Sequence, residues 1–162
     1  MSRSSLAGPA HTRLEFPADS TGYVRRGLDF TRAKLADWEC DTDSVAVGDV
    51  LLVAAEMLAN AALHAGGPLA LDLTLDPDAH RLRIEVTDAS TDPPVIRLGR
   101  PGEPHGHGLR ILDQVTARWG TATAGAGKTV WAELRLPDRA GHRGVAPEPE
   151  HGSRPGRSHS NE

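Results

Sequence analysis

The period at which apolar residues recur changes repeatedly along this chain, and each change marks an element. Arg13-Leu14-Glu15-Phe16 alternates as a short strand that stops at Pro17. Val24, Leu28, Thr31, Leu35 and Trp38 then recur at three and four, the stripe of a helix that Asp19 or Ser20 can cap. Asp41-Thr42-Asp43-Ser44 forms a turn and supplies the next N-cap. The second helix is rich in Ala and Leu through His64 and ends at Gly66-Gly67-Pro68. Leu69 to Leu75 alternates, Asp76-Pro77-Asp78-Ala79 turns, and Arg81 to Thr87 alternates again, so these two strands make a β-hairpin. A Pro-containing loop from Ala89 to His105 leads to a third helix, Gly108 to Arg118, with Leu109, Ile111, Leu112 and Val115 apolar. Trp119–Thr123 and Thr129–Leu136 close the pattern as a second hairpin around Ala124-Gly125-Ala126-Gly127.

The order β-α-α-β-β-α-β-β predicts an α+β two-layer sandwich, a mixed but mostly antiparallel sheet with its helices on one face. No internal repeat interrupts it. Residues 11–136 read as the folded domain, with tails at 1–10 and 137–162. In the second tail Asp138, Arg139, Arg143, Glu148, Glu150, Arg154 and Arg157 alternate with Pro and Gly, and only Ala140, Val145 and Ala146 are apolar. Such a stretch buries too little to offset its ordering entropy. Its histidines, His142, His151 and His159, are too scattered for a metal site.

Length and charge narrow the class. The 162 residues suit one core. Eighteen Lys+Arg against 22 Asp+Glu leave a net charge of −4, which predicts no general attraction to nucleic acid or anionic lipid. No uninterrupted apolar run approaches a membrane span, and the first residues lack the apolar stretch of a secretory signal. The lone Cys40 excludes an intramolecular disulfide and fits a reducing, cytoplasmic setting.

Four segments carry candidate chemistry. Glu56, Asn60 and His64 recur every fourth residue on the second helix, opposite the apolar Val50, Val53, Ala54, Met57, Leu58 and Ala61. An amide oxygen such as that of Asn60 suits Mg²⁺, a hard cation that shares its ligands with phosphates. Glu56 beside it could draw a proton from an attacking hydroxyl. A solvated helix face shows the same spacing. Thr87-Asp88-Ala89-Ser90 ends a strand on a carboxylate, which can accept a hydrogen bond from an exocyclic amino group such as adenine's; Asp also simply starts turns. His105-Gly106-His107-Gly108-Leu109 opens a helix, where glycines let the backbone approach phosphate and helix amides attract anions. A loop end has the same glycines, and two histidines at this spacing make no metal site. Gly125-Ala126-Gly127-Lys128-Thr129 ends a hairpin and is not a P-loop, because the spacing fails and no helix follows.

Taken in order, these four segments resemble the N box and the three glycine-containing boxes of the GHKL ATPase family. The likeness spans roughly Arg13 to Leu136, and Glu56 to His64 is most similar to the N box of the anti-sigma-factor serine kinases. The resemblance implies that Glu56 is the general base, Asn60 the Mg²⁺ ligand, and Asp88 the partner of the adenine amino group with Thr129 nearby. It implies further that Gly106, Gly108 and Leu109 border the phosphates and that His64 is at most a support for the site. The expected function is Mg²⁺-ATP-dependent phosphorylation of a serine on a small antagonist protein, coupled to holding a sigma factor, with a homodimer among the expected partnerships. The chain departs from the family after Asp88, where Ala89-Ser90-Thr91-Asp92 lacks the box's glycines. The cations near the second glycine box are Arg100 and Arg110 rather than an arginine immediately before it. These departures keep open a non-catalytic module that sequesters its partner. A detached histidine kinase domain is a weaker alternative.

Overall fold

A computed structural model describes residues 8–92 and 108–137. The elements run β1 (Ala10–Glu15), α1 (Tyr23–Asp37), α2 (Val45–His64), β2 (Pro68–Asp76), β3 (Arg81–Asp88), α3 (Gly108–Val115), β4 (Arg118–Ala124) and β5 (Gly127–Arg135). This is the expected order. The five strands form one sheet, β1-β2-β3-β5-β4, and every neighbouring pair is antiparallel rather than mixed. Residues 1–7, 93–107 and 138–162, among them most of the predicted tails and of the stretch from Ala89 to His105, lie outside the described residues.

Strand alternation gives the sheet two unlike faces. Leu71, Leu73 and Leu75 of β2, Leu82, Ile84 and Val86 of β3, and Val130, Ala132 and Leu134 of β5 point inward. They pack in one cluster with Leu35 of α1, Leu112 of α3, and Val47, Val50, Val53, Ala54, Met57, Leu58 and Ala61 of α2. The side of α2 expected to be apolar is thus its buried side. α2 has 20 residues and by length and composition alone is apolar enough to cross a membrane. Its apolar side is used here to cover the sheet.

Two local expectations are corrected. Neither Asp19 nor Ser20 caps α1; the N-cap is Gly22, in the left-handed region at φ 67°, with no side-chain capping bond. Ser20 ends a turn through its N–H to the Pro17 carbonyl, and its hydroxyl accepts from Arg26, so it is committed elsewhere. The first strand begins at Ala10, inside the stretch read as tail, because its backbone pairs with β2 as far as Leu75. Ser44 does cap α2, accepting from the Val47 N–H. α1 and α2 approach closely at Gly27, where a Cβ would collide with a methyl of Leu58.

The other face of the sheet carries charge. Asp72 accepts from His11 and Arg13, each at 2.9 Å. Glu133 accepts from Arg83 at 3.1 Å and from Arg118 at 2.6 Å, with Arg81 at 3.6 Å. Arg83 also lies 4.3 Å from the centre of the Trp131 ring, a cation–π contact. Burial works against the charge of Glu133, but the hydrogen bonds from Arg118 and Arg83 and the charges of Arg118 and Arg81 outweigh it. Its pKa is held below the ordinary glutamate value.

Candidate functional site

β3 lies in the middle of the sheet, and its inward series Leu82, Ile84, Val86 ends on Asp88. That carboxylate is 2% exposed. In register, Asp88 faces Pro68 of β2 on one side and Lys128 of β5 on the other. Only Ala65-Gly66-Gly67 separates His64 from Pro68, so the last turns of α2 and the end of β3 lie at the same end of the sheet. The link needs glycine. Gly66 and Gly67 take φ of 72° and 117°, and a Cβ on Gly67 would lie 2.8 Å from the Tyr23 ring.

The phase of α2 decides which flank its polar residues occupy. Leu58 faces α1 through Gly27. At about 100° per residue, Asn60 is turned roughly 200° from Leu58 and belongs to the opposite flank, with Glu56 one turn before it. α2 packs against α1, and α3 (Gly108–Val115) is the other helix that packs on it. Glu56 and Asn60 are half-buried, and His64 is exposed. Among the described residues, the side chains of Glu56 and Asn60 make no hydrogen bond or ion pair. Register and the short link put the end of α2 and the end of β3 at one end of the sheet, and α2 also packs against α3. Gly106 lies outside the described residues.

Thr129 is not part of this group. It sits one residue out of phase with Val130, Ala132 and Leu134, so its hydroxyl lies on the far face of the sheet, 2.9 Å from that of Thr87. The inward residue beside Asp88 is Lys128. Its ammonium donates to Asp88 Oδ1 at 3.0 Å, and the side chain is 9% exposed. The same Oδ1 accepts the Ser90 N–H at 2.9 Å, so the chain after β3 folds back on its own carboxylate. Gly127 allows this approach, because a Cβ there would collide with the Asp88 carbonyl oxygen. The Gly-x-Lys-Thr motif points to Thr129 and hides Lys128. The strand period already held the signal: Lys128 is two residues before the inward Val130.

Among the described residues, no group of three or more His, Cys, Asp or Glu could hold a metal alone. The amide oxygen of the half-buried Asn60 is the kind of hard donor that a phosphate-bound Mg²⁺ takes. A buried carboxylate at the end of a central strand and a half-buried carboxylate and amide one turn apart on α2 are groups of the kind a nucleotide site uses. No curated protein matches the chain at a meaningful level. Residues 16–134 match the model of the histidine kinase-like ATPase domain. That match runs from the buried Phe16 to Leu134 on the inner side of β5 and covers well over half of the sequence, so the chain belongs to the histidine kinase-like ATPase family.

Proposed function

We propose that this ATP-binding domain is a Mg²⁺-dependent protein serine kinase of the anti-sigma-factor type, acting on a small antagonist protein and holding a sigma factor. The observation that supports it best is that α2, which carries Glu56 and Asn60, ends at the same end of the sheet as Asp88 of β3. Glu56 would take the proton of the acceptor serine as its oxygen bonds to the γ-phosphorus, with ADP leaving. Asn60 would hold Mg²⁺, which when bound offsets the charge of the phosphates. The amides that open α3 at Gly108 would face the phosphates. Incubation with γ-labelled ATP, Mg²⁺ and a candidate antagonist protein tests the reading. Label should reach a serine of the antagonist with the wild type and not with Glu56→Ala.

One observation favours a second reading, a non-catalytic module that sequesters its partner. Asp88 is already engaged by Lys128 and Ser90, so the base site is less open to adenine than a free carboxylate would be. On that reading the wild type itself transfers no phosphate, and partner binding survives Glu56→Ala unchanged.

A further inference from the structure

Lys128 has no part in the phosphate chemistry above, yet its ammonium donates to the base-reading carboxylate. Its position is constrained. It sits opposite Asp88 in the β3–β5 ladder, is buried, and follows a glycine that lets the two strands close on each other. Asp88 Oδ1 takes both observed bonds, and no partner falls on Oδ2 among the described residues. An ammonium has three donors, of which this bond uses one. The pair therefore keeps both an acceptor and donors to offer, side by side.

We infer that Lys128 sets base selectivity at this site, converting a carboxylate that would read adenine alone into a donor–acceptor pair that also admits 6-oxopurine nucleotides. The inference rests on the nucleotide site proposed above. Adenine presents an amino donor at position 6 beside the N1 acceptor. Hypoxanthine and guanine reverse this, with a carbonyl acceptor at position 6 beside an N1–H donor. A lone buried carboxylate matches the first arrangement and opposes the second, because the carbonyl oxygen would face it with no proton between them. With Lys128 in place both arrangements are met. The amino group of adenine donates to Asp88 while Lys128 donates to N1; a 6-oxopurine accepts from Lys128 at O6 and donates its N1–H to Asp88. Thr129 cannot supply this donor, since its hydroxyl lies on the other face of the sheet.

Competition of ATP and inosine triphosphate against a fluorescent ADP analogue, with Mg²⁺ and the full chain, tests the inference. The two triphosphates differ only at positions 6 and 1 of the base. The wild type should bind them within about fivefold of each other, whereas Lys128→Met and Lys128→Thr should favour ATP by about fiftyfold or more. Lys128→Arg keeps the charged donor and should stay near the wild-type ratio. The wild-type ratio decides even if a neutral variant fails to fold. A wild-type preference for ATP of about a hundredfold, or an unchanged ratio in folded Lys128→Met, overturns the inference and leaves the ATP site standing. A wild type that binds none of the nucleotides overturns both.

Discussion

Glu56 and Asn60 are neighbours on one flank of α2, yet their substitutions should have different effects. Asn60→Ala removes an amide oxygen that no side chain on the same turn replaces, so Mg²⁺-dependent ATP affinity should fall by about tenfold or more, measured by calorimetry with and without Mg²⁺. Glu56→Ala should change that affinity by less than about threefold while abolishing phosphate transfer, because a base acts on the transition state rather than on the bound ground state. Equal loss of affinity in both would make Glu56 structural and remove the base from the mechanism. On the far face, the depressed pKa of Glu133 makes a pH prediction. Its folded value lies below its unfolded one, so its contribution is complete above the ordinary value of about 4.3 and is lost as pH falls through the native value. Glu133→Gln should lower stability by about 1–2 kcal/mol at neutral pH, and urea titrations in acid should show that difference shrinking. A difference of the same size at both pH values would assign the effect to packing.

At the scale of elements, two glycines in different settings should respond with opposite signs. Gly127 opens β5 against the last residue of β3, and its added Cβ would meet backbone, which cannot swing aside. Gly127→Ala should therefore destabilise by about 2–3 kcal/mol and also weaken nucleotide binding, because it pries apart the strands that carry Asp88 and Lys128. Gly48 lies exposed in the first turns of α2, and a Cβ there meets nothing within 4 Å. Gly48→Ala should stabilise by about 0.5–1 kcal/mol, since the helix no longer restrains the freest residue type. Thermal denaturation of the two variants side by side checks both. A stable Gly127→Ala with intact nucleotide binding would show that the β3–β5 junction yields more easily than its geometry implies.

For the molecule as a whole, the candidate site joins elements distant in sequence, so occupancy should couple to global stability. ATP with Mg²⁺ at about a hundred times its dissociation constant should add about 2.7 kcal/mol and raise Tm by on the order of 10 °C. Glu56→Ala should retain that rise, and Asn60→Ala should lose most of it at the same ATP concentration. A Tm indifferent to ATP in the wild type would argue against an ATP site that spans α2, β3 and α3.

The periods of the sequence determined the elements and most of their buried sides. The stripe Val50, Val53, Ala54, Met57, Leu58, Ala61 faces inward as its spacing requires, since a helix rigid in its 3.6-residue period can bury only one side. The alternation of β2, β3 and β5 likewise settled which residues line the inner face, Lys128 included. What local pattern could not settle was partnership. Ser20 is a good cap by type, but its hydroxyl meets Arg26 instead, so Gly22 starts α1. Ala10 looks like tail until β2 supplies the ladder that extends β1. That Asp88 lies level with Pro68, and so beside the end of the Glu56–Asn60 helix, follows from strand register across 20 residues of sequence. Its ion pair with Lys128, 40 residues away, follows from β5 inserting between β3 and β4. Periodicity is a property of neighbours along the chain. Register and ion pairing depend on which strands the shared core brings together, and only the tertiary structure decides that.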